Sequence, residues 1–411
     1  DSITKDDIII PNENILFVFA SDNNVLYSTV NVSNSNIKNI NNKKERNFFD
    51  FIYTGISFIK IYKEYWNILE KIYNENNDIE LGDVQIIQEL LKHNIFKYIE
   101  LKSWYDSGNL IELNKKIKYD FKTKYEVLNK YDENICFIDN FVIKFFYNET
   151  TNKNRVIRGK FLYPLTPKIY DYRDNYIKME LIDGELVSKI KTHGEIKNLL
   201  KWSNLNLWKN TNIQTNNFKN ICKTFYYDKT LNRINKILET VNDYNIINDL
   251  NIGSIHDLLK KINFDSLFTN DYTNFHGDFI LDNIIKINND YKLLDWRQDF
   301  GGELYNGDKY YDLAKLRHNI ILNHENLNNN LFTNLIRVNK VYVDLKCNFT
   351  LINQLQEYED FIKKNNYDLN KIKILTSLIW LNMSPLHEYP LNEFLYYFGK
   401  YNLFLEISNY H

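Results

Sequence analysis

Between residues 276 and 295 the chain reads His276-Gly277-Asp278-Phe279-Ile280-Leu281-Asp282-Asn283, then Leu293-Leu294-Asp295-Trp296. No other stretch limits the fold as tightly. An Asp and an Asn five residues apart in a loop can face one pocket. A second Asp at the end of a short apolar strand can reach the same place. Two carboxylates plus an amide oxygen make a hard, oxygen-only site that suits Mg²⁺. With a nucleotide phosphate filling the remaining coordination, one Asp is free to position a substrate hydroxyl. The alternative is a polar turn between two strands that fits the spacing by chance.

Composition decides how much weight each residue of this pattern carries. Asn is abundant, at 63 of 411 residues, and Lys far outnumbers Arg. That bias looks like an AT-rich genome, so Asn283 alone would mean little. Asp278 and Asp295 give it a place. Glycine is scarce, at 12 residues, yet Gly55, Gly108, Gly184 and Gly277 all fall inside the motifs discussed below.

The 51 Lys+Arg nearly cancel the 53 Asp+Glu, which argues against a generic nucleic-acid binder. A chain of this length holds two or three domains at roughly 100–200 residues each. Cys136, Cys222 and Cys347 are far apart, with no CxxC pair, which suits a reducing cytoplasm rather than a disulfide framework. No apolar run approaches the ~18 residues of a membrane span, and the first residues lack a signal-peptide layout. The missing initial Met suggests a start inside a longer protein. Nothing in the sequence speaks to the oligomeric state.

Apolar patterning predicts strands at Ile15–Ala20, Val25–Val32, Phe51–Ile59 and Tyr98–Leu101. Helices are expected near Tyr62–Tyr73 and from Asp83, read as an N-cap acid. The Asn- and Lys-rich stretch 31–47 reads as a loop. Ile117–Leu128, Ile135–Ile138, Phe141–Phe146 and Tyr176–Ile182 read as further strands. From Glu185 the pattern turns helical: Glu195–Trp208, Ile221–Tyr244 and Ile255–Ile262. A β insert at Phe275–Leu294 interrupts it, and helices resume from Tyr311 to the end. A sheet-rich segment followed by a helix-rich one suggests two lobes.

The His276–Asp295 segment resembles the aminoglycoside phosphotransferase and choline kinase superfamily, which has a protein-kinase-like fold. The resemblance implies an ATP- and Mg²⁺-dependent enzyme. Asp278 would be the catalytic base, Asn283 and Asp295 the metal ligands, and His276 the organiser of the loop. Lys144, alone in the apolar run Phe141–Phe146, would hold the nucleotide phosphates. Its alternative is an edge-strand side chain facing solvent. The stretch Lys178–Gly184 resembles the family's hinge, where backbone groups of Glu180, Leu181 and Ile182 would meet adenine. Two departures stand out. The turn 129–134 between the first two strands has no Gly-rich loop. No well-placed Glu follows Lys144, since Arg155 and Arg158 stand there instead and Glu149 comes too early.

Arg297–Gly302, Tyr305–Asp308 and Tyr311–His318 are similar to a narrower branch, kinases encoded in bacterial surface-polysaccharide clusters. Asn382–His387 resembles that branch's C-terminal helices. Asp312 reads as a helix cap or a substrate contact. His318 and His387 read as satisfied helix histidines rather than catalytic ones. Trp296, Asp299, Glu303 and Asp308 would hold a cationic acceptor group, or else form a solvated loop.

Earlier in the chain, Tyr53–Phe58, Gly82-Asp83-Val84 and Trp104-Tyr105-Asp106-Ser107-Gly108 occur in the order seen in sugar-1-phosphate nucleotidyltransferases. They resemble the second half of that family's Rossmann-like domain. The resemblance implies an Mg²⁺ pair of Asp1 and Asp106. The family's glycine-rich phosphate loop is absent, and the alternative is a generic α/β domain.

The expected fold class is α+β: a two-lobed kinase-like fold preceded by the C-terminal part of a Rossmann-like nucleotidyltransferase domain. The expected divisions are 1–115, a sheet-rich N-lobe at 116–184, and a helical C-lobe at 185–411. The expected function is phosphorylation of a hydroxyl on a sugar, an amino alcohol or a related surface-glycan precursor. Its partner is a small-molecule alcohol, with no nucleic acid and no membrane insertion, in the cytoplasm. The alternatives are a fragment of a bifunctional nucleotidyltransferase/kinase and a catalytically silent pseudokinase scaffold.

Overall fold

A computed structural model of the chain describes residues 2–4, 6–21, 26–43, 48–75, 82–106, 133–138, 140–324, 327, 329, 331–346 and 349–408. The chain divides into two compact units, Asp1–Glu126 and Val127–His411. The expected strand at Ile117–Leu128 and most of the turn 129–134 lie outside the described residues. Glu133 and Asn134, assigned to that turn, are instead the start of a strand.

In the first unit the apolar run Ile15–Phe19 forms the central strand. It pairs antiparallel with Phe51–Phe58 and parallel with Lys97–Glu100. Leu16 and Val18 enter one apolar cluster and Ile15 and Phe17 another, so both faces are buried and ILFVF carries no polar alternation. Thr29–Ser33 and Asn36–Asn41 complete the sheet, and a single pair, Asn36 with Lys97, closes it on itself. The strand Asn36–Asn41 corrects the loop expected at 31–47. Its Ile37 and Ile40 turn inward, and burying them outweighs the turn propensity of the surrounding Asn. The helices Tyr62–Glu75 and Asp83–Leu91 pack on this sheet, the second through Ile86, Ile87 and Leu90. Gly82, not Asp83, is the N-cap residue. The Asp83 carboxylate instead accepts the Tyr53 hydroxyl at 2.7 Å.

The second unit opens with a four-stranded antiparallel sheet. Its order is Ile169–Arg173, Tyr176–Glu180, Phe141–Phe146, Glu133–Ile138. The helix Glu149–Leu162, which the sequence reading did not anticipate, follows the Lys144 strand directly. Asn148 caps it by accepting the Thr151 N–H at 2.9 Å. Gly159 allows its close approach to the site. An added Cβ there would stand 2.3 Å from the Trp296 ring.

The remainder is mainly helical. The helix expected at 221–244 is broken in two: Phe218–Lys223 and Lys229–Ile237 flank a π turn at Thr224–Asp228. The wider turn brings Phe225 and Tyr226 into the core. The hairpin Ile284–Ile287/Asp290–Leu293 forms as expected. A second hairpin, Phe332–Arg337/Lys340–Leu345, corrects the all-helical reading after Tyr311. Val341 and Val343 alternate inward there, a period-two signal inside a helical stretch. The helices Phe349–Lys364, Leu369–Met383 and Leu391–Ser408 finish the unit. The fold class is thus α+β, with a sheet-rich lobe followed by a helix-rich one. No described helix is long and apolar enough to cross a membrane.

Candidate active site

The hairpin Ile284–Ile287/Asp290–Leu293 brings the two ends of the motif together. Leu294 N–H donates to the Asn283 carbonyl at 2.7 Å, so Asp295 emerges beside Asn283. Asp295 itself has φ +54°, in the left-handed region. A non-Gly residue held there costs about 1 kcal/mol, which surrounding contacts must outweigh. Two cations supply such contacts. Lys144 Nζ lies 2.9 Å from Asp295 Oδ1, and Arg155 Nη1 binds the same oxygen.

Lys144 sits on an inner strand of the four-stranded sheet and is 8% exposed, so it does not point to solvent. Arg155 comes from the helix Glu149–Leu162. Burial works against its charge, but Asp295 and then Glu133 outweigh that and hold its pKa above the usual value. Its buried Nε has no hydrogen-bond partner among the described residues. A buried N–H of this kind, beside two cations, fits an anionic oxygen such as a nucleotide phosphate.

Asp278 faces the same place from the loop. Asn283 Nδ2 donates to the Asp278 carbonyl at 3.0 Å and to its Oδ2 at 3.2 Å. Lys315 Nζ lies 2.7 Å from Asp278 Oδ1. Burial pulls the Lys315 pKa down, but Asp278 outweighs it and the net direction is upward. Gly277 makes the turn possible, with φ +85° and Arg297 Cβ only 2.6 Å from where a Cβ would stand.

His276 is fully buried. Its Nδ1 accepts the Asp278 N–H at 3.2 Å, which leaves Nε2 protonated to donate to the Leu294 carbonyl at 2.8 Å. Burial pushes its pKa down to about 4, so the ring is neutral near pH 7. It ties the loop to the segment that follows the hairpin.

Asp312 corrects the sequence reading. Asp308, not Asp312, caps the helix Lys309–Ile321, accepting Tyr310 N–H at 2.9 Å. The Asp312 carboxylate is fully buried and accepts N–H groups from His276 (2.7 Å), Gly277 (2.7 Å) and the Trp208 indole (3.0 Å). It holds the loop through these bonds. Burial raises its pKa to about 6. Arg158 reinforces the same loop, donating to the carbonyls of Arg297 (2.6 Å), Leu304 (2.7 Å) and Phe275 (2.7 Å).

The residues expected to hold a cationic acceptor have the following partners. Trp296 is 3% exposed, and its indole donates to the Arg155 carbonyl at 2.8 Å. Asp299 Oδ1 accepts Gly302 N–H at 3.0 Å. Asp308 is buried against Lys371 at 3.0 Å. At the expected hinge, Glu180 N–H donates to Lys168 O (2.9 Å) and Leu181 N–H to Asn140 O (3.0 Å), so both amides are engaged. Ile182 is buried.

The sequence reading missed Arg155, Arg158 and Lys315. Lys315 carried a signal: three residues after Asp312, it shares that residue's helix face. The site fits Mg²⁺ through its donor chemistry, since Asn283 and Asp295 present hard oxygens beside one another. No cluster of three His, Cys, Asp or Glu that could hold a metal occurs among the described residues.

In the first unit, Asp106 lies on a short strand that pairs with Ser2–Ile3, with Ser2 opposite Asp106. Trp104 is buried, its indole donating to Ser2 Oγ at 3.0 Å. Asp1, Ser107 and Gly108 lie outside the described residues.

No protein-family model and no curated protein matches the chain. Among solved structures it is similar to APH(2″)-IIa in complex with gentamicin, at 16% identity and TM-score 0.40, over 72% of this chain and 96% of that one. It is also similar to a choline/ethanolamine kinase family protein from Mesorhizobium loti, at 10% identity and TM-score 0.40, over 73% of this chain and 99% of that one. A protein designated glucose-1-phosphate thymidylyltransferase, from Bacillus anthracis, matches at 17% identity and TM-score 0.22. That match spans 28% of this chain and about half, 46%, of the other.

Proposed function

We propose that the second unit transfers the γ-phosphoryl group of ATP to a hydroxyl of a small molecule. The observation that carries this is the convergence of Asp278, Asn283 and Asp295 at one loop and hairpin, with Lys144 and Arg155 on Asp295. Asp278 accepts the proton of the acceptor hydroxyl as that oxygen bonds to the γ-phosphorus. The bond from the γ-phosphorus to the bridging oxygen breaks, and ADP leaves. Lys144 and Arg155 stabilise charge on the phosphates, and Lys315 stabilises charge beside Asp278. Asn283 and Asp295 would hold Mg²⁺, which supplies neutralisation of the phosphate charge when bound. Adenine would rest against the 180–182 segment through groups other than the two engaged amides.

The acceptor class is a sugar or related glycan-precursor alcohol. An amino alcohol is the other acceptor class considered, and the alcohol panel separates the two. A cytoplasmic location remains part of the proposal. Mg·ATP turnover on an alcohol panel tests the reading. Asp278→Ala and Asp295→Ala should each abolish it, and full activity in both variants would refute the site assignment.

Arg155 in place of a Glu favours one second reading, a nucleotide-binding scaffold without turnover. Mg·ATP binding with no product on any acceptor would support it. For the first unit we propose a remnant or fragment of a nucleotidyltransferase domain with Asp1 and Asp106 as its metal pair. This rests only on the motif order, and nucleotide transfer to a sugar 1-phosphate by a longer chain, lost in Asp106→Ala, tests it.

A further inference from the structure

We infer that the acceptor is itself an anion: a hydroxyl compound that also carries a carboxylate or phosphate group, held by Lys229, Arg233 and Arg297. This rests on the phosphoryl-transfer reading for the position of the hydroxyl. It goes beyond that reading in fixing the charge of the acceptor.

Lys229 and Arg297 share Phe225, a residue of the π turn at Thr224–Asp228, and Arg233 lies one helical turn beyond Lys229. Lys229 Nζ stands 3.9 Å from the Phe225 ring centroid, and Arg297 Cζ stands 5.1 Å from the same centroid. Two cations therefore share one ring. Lys229 also lies 5.9 Å from the ring of Tyr311, a residue of the helix that carries Lys315 to Asp278. Arg233 follows Lys229 by four residues on one helix, which places both on the same face. Arg297 is tied to the loop itself, its N–H donating to the His276 carbonyl at 3.0 Å. Its Cβ crowds Gly277, one residue before Asp278.

These cations contact rings and carbonyls, and Asp299 acts on Lys229 only through its field. Arg233 Nη1 donates to the Asn382 carbonyl at 2.7 Å, and Arg297 Nε to the Asp299 carbonyl at 3.1 Å. Among the described residues, none of the three forms an ion pair with a carboxylate. Gathering like charges in a partly desolvated place is unfavourable until an opposite charge arrives. Lys229 reports this strain. Burial first, then Arg297, Arg233 and Lys315, push its pKa well below the usual lysine value. A carboxylate or phosphate would relieve the repulsion and offer oxygens to two guanidinium groups, which bind such groups in a planar, bidentate fashion. Of the nearby carboxylates, Asp308 is paired with Lys371, while Asp299, whose Oδ1 accepts Gly302 N–H, offsets part of the positive charge at Lys229.

The test uses four ligands that differ chiefly in charge: glucose, glucosamine, glucuronate and glucose 6-phosphate. The full chain is titrated with each at low salt, both with saturating Mg·AMP-PNP and without nucleotide. At least one of the two anions should bind about tenfold or more tightly than glucose and glucosamine, a difference of about 1.4 kcal/mol. Comparing glucuronate with glucose 6-phosphate separates the carboxylate from the phosphate source. Lys229→Gln and Arg233→Gln should each reduce that preference about threefold or more while leaving Mg·AMP-PNP affinity unchanged. Two variants on separate turns guard against misfolding of one, and thermal melting checks both. Anions binding no better than glucose would overturn the inference. So would variants that weaken Mg·AMP-PNP and spare the anion preference, since the cations would then serve the nucleotide. A protein that ignores Mg·AMP-PNP yet keeps the Lys229-dependent anion preference would retain the anion site and lose the kinase reading.

Discussion

Lys315 Nζ lies 2.7 Å from Asp278 Oδ1, and both side chains are largely withdrawn from solvent. One is a residue of the helix Lys309–Ile321 and the other of the loop, so helix packing sets the position of the proposed base. Lys315→Met should lower kcat by about 10²-fold with little change in KM for ATP. Lys315→Arg should recover part of the loss. Steady-state kinetics at varied ATP measures the split, and a loss confined to KM would refute this placement.

Asp312 and Arg158 hold the loop from beneath. Replacing Asp312 with Asn puts an amide N–H against backbone donors and should cost about 1–3 kcal/mol of stability. Arg158→Met leaves three buried carbonyls without their donor and should cost about 3–5 kcal/mol. Urea unfolding of the full chain measures both. A change below about 0.5 kcal/mol in either would show that water takes over the lost bonds.

Gly277→Ala forces a Cβ into the left-handed region and against the Arg297 stem. Activity should fall at least about tenfold while the melting temperature drops by only a few degrees, since the strain is local to the loop. An unaffected kcat would show that the loop can shift without cost.

The pH dependence follows from His276. Its folded pKa, about 4, lies below the unfolded value, so the fold prefers the neutral ring. Its contribution is complete above about pH 6.5 and is lost as pH falls toward 4, by about 3 kcal/mol. Asp312 acts in the opposite sense. Its pKa is raised to about 6, so its contribution is complete below about pH 4 and is lost as pH rises through 6. The two partly cancel in the wild type. His276→Gln removes one of them, so its stability relative to wild type should rise as pH falls from 7 to 4. Urea midpoints at several pH values measure this, and a constant gap would refute the assignment.

The catalytic loop was legible because its residues are close in sequence. Asp278 and Asn283 share a short loop, and Asp295 comes two residues after a strand whose hairpin partner begins at Ile284, next to Asn283. Lys144 was legible as a charge in an apolar strand. Arg155 was not, because nothing local marks a helix residue as the partner of an Asp 140 positions later. The β-strand at Asn36–Asn41 and the hairpin Phe332–Leu345 were obscured by Asn-rich surroundings, where turn propensity and inward Ile or Val compete. The cap assigned to Asp312 failed for a different reason. Four residues earlier, Asp308 meets the same chemical requirement, and only the chain's path separates them.

The sequence by itself determined the motif: which oxygens are available, how far apart they stand along the chain, and the glycine that lets the loop turn. Those are local matters, set by backbone geometry over a few residues. The tertiary structure alone decided the charges around them. It placed Arg155 and Lys144 on Asp295, Lys315 on Asp278, and Lys229 and Arg297 about Phe225. Electrostatic partners are chosen by proximity in space, and elements far apart in the chain meet only when the core packs.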